Sequence, residues 1–255
     1  MNLKNTAKTI DDIIEILEEI IQNSIRDNDP NGYFPALYQQ VTIKVKEGIK
    51  NNIFENSHRM QKLDVVFAKR YIDGYKNWKN KQPVTQSWEK AFKLAENSDA
   101  IVLQHLLMGM NAHINLDLGI AAAEISNQSN ISDLQNDFNK INEILSQQVN
   151  DVQNKLVSIW PALQKILEKT GAVDDLIVDF SMELARDGAW KFATELVKLT
   201  GSERNTGIQN RDLKVAEKSN IITEPGLGAK FILWFIRLGE RGSVAEKIKK
   251  LKYKS

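Results

Sequence analysis

Between residues 100 and 125 the sequence is apolar on every side of a helix, from Ile101, Val102 and Leu103 through Leu106, Leu107 and Met108 to Ala121, Ala122 and Ala123. A helix with no polar face belongs at the centre of a bundle, with amphipathic helices wrapped around it. The flanking chain supplies such helices. Ile10, Ile13, Ile14, Leu17, Ile20 and Ile21 repeat at three and four, and Asn28, Pro30 and Gly32 then signal a turn. Further helices are expected over residues 35–51, 60–80, 85–97, 132–157 and 174–199. A polar, glycine-containing stretch follows over 200–210, and an apolar helix with a lysine-rich tail over 226–255. No run alternates as a strand does. The expected fold is all-α, a single-domain multi-helix bundle covering residues 1–255 around the central helix at about 100–125.

At 255 residues such a chain can bury roughly three-quarters of its unfolded surface and needs no covalent staple. It has no cysteine, which rules out disulfides, thiolate nucleophiles, iron–sulfur clusters and cysteine-based zinc sites, and fits a cytoplasmic location. A net charge of +1 argues against a dedicated nucleic-acid binder. The first thirty residues lack the uninterrupted apolar core of a secretory signal. The most apolar later stretch, 227–238, is broken by Lys230 and Arg237 and is too short to span a membrane. Six bases gather between Arg241 and Lys254 against Glu246 alone. They read either as a solvated helix end or, with 226–238, as a contact for an anionic membrane surface.

The central helix nevertheless carries Gln104, His105, Asn111, His113, Asn115, Asp117 and Glu124, and buried polar groups are costly unless paired. Steps of about 100° per residue put His113 and Asp117 one turn apart, with Glu124 further along the same line. Gln104, Asn111 and Asn115 form a second stripe. Gly109, Gly119 and the alanines keep the helix slim enough for close packing.

Two chemistries suit the His113/Asp117 pair. As a metal half-site it would hold zinc, iron or manganese, with His105 and residues such as His58, Asp64, Asp137, Glu183 or Asp187 completing the ligands. The metal would then activate water for hydrolysis, with Asp64 as ligand or base and Arg70 or Arg186 neutralising an anionic substrate. As a structural pair, Asp117 would orient His113, the asparagines would lock neighbouring helices, and Asp64 would bridge to Arg186. A non-catalytic pocket for a small anionic or amphipathic ligand, or a structural interaction protein, stays open beside the metal-dependent hydrolase.

Three segments carry a resemblance: Met60-x-x-Leu63-Asp64-x-x-Phe67-Ala68-x-Arg70-Tyr71, the Trp88-x-x-Ala91-Phe92 pair, and Gln104 to Leu118 with its GMNAHINxDL core. Together with the segments Asp137 to Asn142 and Ala185 to Trp190, they resemble an uncharacterised bacterial family of unknown function, DUF5995, over about residues 30–200. The resemblance implies a helical fold and brings no activity with it. His113-Ile-Asn-Leu-Asp117 is also similar to the His-x-x-x-Asp helix of the zinc-dependent phospholipase C and single-strand nuclease superfamily. The chain departs from that pattern where Ala121 replaces a further histidine. Its three histidines leave room for at most a one- or two-metal carboxylate site.

Overall fold

The computed structural model describes residues 7–126, 130–161, 182–224, 233–234 and 236–252. Every regular element among them is helical, and the fold is an all-α multi-helix bundle. In chain order the helices are α1 (Ile10–Asp27), α2 (Tyr33–Lys50), α3 (Ser57–Lys79), α4 (Gln86–Lys93), α5 (Val102–Ala112), α6 (Gly119–Ile125), α7 (Gln135–Ile159), α8 (Met182–Leu196), α9 (Gly201–Lys218), α10 (Asn220–Thr223) and α11 (Val244–Leu251). Residues 1–6, 127–129, 162–181, 225–232, Phe235 and 253–255 lie outside the description. They include part of the helix expected over 174–199 and most of the apolar part of the one expected from 226.

Local sequence sets the helix ends. At α1, Thr9 accepts from the Asp12 amide at 3.1 Å while the Asp12 carboxylate accepts from the Thr9 amide at 3.0 Å, a reciprocal capping box. Asn28, in the left-handed region at φ 49°, turns the chain out of the helix. Ile10, Ile13, Ile16, Leu17, Ile20 and Ile21 of α1 are buried, and the helix packs on α2, α3 and α11, while Ile14 of the expected stripe is half-buried.

The middle of the bundle is a continuous helix from Val102 to Ile125 whose winding changes partway. Between α5 and α6, residues His113–Leu118 form a π-helical turn, wider than the α-helix on either side. From Ile101 to Ala123 every residue is buried except the half-buried Met110. Gly109 and Gly119 permit this depth. A Cβ on Gly109 would lie 2.4 Å from the Phe34 ring, and one on Gly119 would lie 2.9 Å from the Ala189 carbonyl oxygen. The Phe34 ring of α2 and the Ala189 backbone of α8 therefore approach the central helix at the positions where it has no side chain.

Two segments differ from expectation. The polar stretch at 200–210 is the first half of α9, whose buried positions include only Asp212, Val215 and Ala216. So thin an apolar stripe gives little periodic signal, yet Glu, Arg, Gln and Lys on the wet side are good helix formers. The lysine-rich tail is also helical. In α11, capped by Ser243 and Glu246, Ile248 and Leu251 are fully buried and the helix packs on α1, α2 and α7. Its lysines reach outward, Lys250 to the Ser158 carbonyl and Lys252 to Glu18. Among the described residues no helix is long and apolar enough to cross a membrane.

Candidate functional site

Asp117 lies at the centre of the site. It sits in the π-helical turn with essentially no solvent exposure, and three side chains donate to it. Arg70 Nε of α3 reaches Oδ1 at 2.7 Å, Trp88 Nε1 of α4 reaches Oδ2 at 2.8 Å, and His113 Nδ1 lies 3.2 Å from Oδ2. Burial pushes the carboxyl toward protonation, but Arg70, His113 and Trp88 together outweigh it and hold it below the usual range. Asp117 is thus an ionised, fully engaged carboxylate.

His113 lies behind it, deeper in the core. Its ring stacks on Phe67 at 3.6 Å and meets the edge of Tyr38 at 4.5 Å. Burial lowers its pKa and Asp117 only partly opposes this, so the ring is neutral. A neutral ring that donates from Nδ1 presents a lone pair at Nε2, and that atom is buried without a partner. Asp64, one turn before Phe67 on α3, is buried with Oδ2 unpartnered, and desolvation pushes it up to about 7. Its charge also helps to raise Tyr38, after desolvation, well above the usual tyrosine value.

The winding of the central helix has its own partners. Arg211 Nε of α9 donates to the Asn115 carbonyl at 2.8 Å, and the Arg211 guanidinium lies 5.3 Å over the Phe192 ring of α8. Arg211 thus holds a backbone carbonyl within the π-helical turn itself. The second polar stripe does what the structural reading expected. Asn115 Nδ2 donates to Asn111, Asn111 to the Val215 carbonyl and Gln104 to the Ile222 carbonyl, tying α9 and α10 to the core.

The expected metal set does not assemble. His105 packs edge-on to Tyr33 at 5.3 Å and stands two turns from His113, about 12 Å along the axis. His58 and Asp187 are exposed. Asp137 is buried but taken: it accepts the Glu55 and Asn56 amides at the start of α3 and Arg59 Nη2 at 2.9 Å. The side chain of Glu183 lies outside the description. Asp64 and Arg186 are both buried but form no ion pair with each other. Among the described residues no three histidine and carboxylate side chains gather in a way that could hold a metal ion. The half-site itself does not fit one either, because both Asp117 oxygens already face donors that a cation would have to displace.

The network opens on solvent at one edge. A cleft of about 660 Å³ runs between α3, the segment entering α4, the central helix and α9. Val66, Lys69, Arg70, Trp88, Asp117 and Glu124 are in its lining, and His113 is not. Asp212 of α9 closes one end, accepting the Gln86 and Ser87 amides and the Ser87 hydroxyl at the start of α4. Trp88 as a donor and Asp212 as a cap were not found from sequence. Both are contacts between helices distant in the chain, with no local spacing to mark them.

The family of unknown function DUF5995 matches residues 10–225. The chain belongs to DUF5995. The match covers the central helix, every donor to Asp117 and the whole cleft lining, and is longer than the segment whose motifs carry the resemblance. A search of curated proteins and a search of solved structures each return no match to this DUF5995 chain.

Proposed function

We propose that this DUF5995 protein binds a small molecule in the cleft beside Arg70, and that the Asp117 network is the scaffold that shapes the site rather than a metal centre. One observation carries the reading. Arg70 uses only Nε on Asp117; its two Nη groups make no hydrogen bond among the described residues and are not buried, while the residue lines the cleft. A guanidinium fixed along one edge by a buried carboxylate, with the other edge turned to solvent, is pre-organised for a ligand oxygen. The cleft volume lies within the usual range for small-molecule sites. Metal-dependent hydrolysis has less behind it, since His113 is absent from the cleft lining and both Asp117 oxygens already accept from side chains of the protein. The same reading takes residues 1–255 as one helical domain, because α11 near the C-terminus packs on α1 near the N-terminus.

The test uses the Trp88 indole N–H, whose partner is the Asp117 carboxylate on the cleft floor. The full-length protein is titrated with a panel of organic acids, amines, amino acids and sugars. The Trp88 resonance is followed by NMR and assigned by its loss in Trp88→Phe. A saturable shift with some member, weakened in Arg70→Lys, is expected; a silent panel would make the cleft a mere packing furrow.

A further inference from the structure

Six charged residues line the cleft, and most of their charge is already matched within the protein. Lys69 pairs with Asp73 at 3.7 Å on α3. Asp117 faces Arg70, and Asp212 takes three donors at the start of α4. Two groups are left. One is the outer edge of Arg70. The other is Glu124 of α6, an exposed carboxylate with no ion pair or hydrogen bond among the described residues. Two cations, Lys69 and Arg70, stand against four carboxylates, Asp73, Asp117, Glu124 and Asp212, so the lining has a formal charge of −2. A dianion is therefore repelled overall, and a simple polyamine leaves the Arg70 donors unmatched.

We propose that the ligand is a small zwitterion, with an anionic or carbonyl end on Arg70 Nη and an ammonium end toward Glu124. The assignment rests on the cleft being a binding site. Asp117, which anchors Arg70, and Glu124 are seven residues apart on the central helix, or about 10 Å along its axis. An extended ω-amino acid spans most of that distance, whereas an α-amino acid places both charges at one end.

The experiment compares three probes of similar length on the intact protein: ε-aminocaproate, adipate and hexamethylenediamine. The readouts are calorimetry and the Trp88 indole resonance. ε-Aminocaproate is expected to shift Trp88 saturably and to bind roughly tenfold more tightly than either symmetric probe. Glu124→Gln, at an exposed position that leaves the core untouched, is expected to erase that preference. If adipate or the diamine shifts Trp88 and binds as tightly, the zwitterion assignment is overturned while the cleft stands. Silence with all three probes also overturns it. The binding reading itself falls only if the wider panel is silent as well.

Discussion

The Trp88 indole donates to Oδ2 of Asp117 at 2.8 Å, and this is the oxygen that also faces His113 Nδ1. Together with Arg70 on Oδ1, the contact gathers α3, α4 and the central helix on one buried charge. Asp117→Asn keeps one acceptor oxygen, but it removes the charge opposite Arg70 and turns an NH2 group toward a donor. The substitution is expected to cost about 3–5 kcal/mol, the range for breaking a buried pair. Trp88→Phe, which loses one hydrogen bond to an ionised partner, should cost about 1–3 kcal/mol. Combining the two should cost clearly less than their sum, as measured by urea unfolding, because both act on one network. Additive effects would mean that the indole and the carboxylate are energetically independent.

Two buried groups set opposite limbs of the pH–stability curve. Asp64 is pushed up to about 7 by desolvation, so its ionisation penalises only the folded state. That penalty is absent below about pH 4, grows as pH rises, and is complete above about pH 7, where it amounts to on the order of 4 kcal/mol. His105 is held neutral, its pKa lowered to about 4 mainly by burial. Its penalty grows as pH falls below about 6.5 and reaches on the order of 3 kcal/mol below about pH 4, with His113 acting in the same direction. Denaturant melts across pH should show Asp64→Asn flattening the alkaline limb and His105→Gln the acid limb. A variant that shifts the whole curve without changing its slope would contradict the assignment for that residue.

The bundle was readable because it depends on periodicity. The stripe of α1 and the all-round apolarity of residues 101–123 both report burial directly, and burial is what they encode. The polar stripe of Gln104, Asn111 and Asn115 could be placed for the same reason. The π-turn at His113–Leu118 could not, because nothing in the HINLDL segment announces a change of winding. The contacts at the turn are tertiary, with Arg211 holding the Asn115 carbonyl and the Ala189 backbone lying close to Gly119. The His113–Asp117 pair was readable from its spacing, but the donors to Asp117 from other helices were hidden. Arg70 was expected to face a substrate, and its Nε instead anchors the aspartate, leaving only the outer edge for a ligand. α9 was missed because its buried face is three residues wide.

The C-terminal helix gives a test of the one-domain proposal. Ile248 and Leu251 are fully buried, and their helix packs on α1 and α2 near the start of the chain and on α7. Each such side chain contributes roughly 1.5–3 kcal/mol by burial. Deleting residues 244–255 should therefore lower the melting temperature by several degrees and increase protease cleavage in α1. An unchanged melting temperature would separate the tail from the bundle.

The most direct test of the metal-free network is the protonation state of His113, read from long-range ¹H–¹⁵N NMR with and without one equivalent of zinc or manganese. The account predicts a neutral ring protonated at Nδ1, a Trp88 indole proton shifted downfield by its carboxylate partner, and neither signal altered by the metal. A His113 nitrogen that moves to a metal-bound shift or broadens stoichiometrically, with loss of the Trp88 hydrogen bond, would contradict it and return Asp117 to the role of metal ligand.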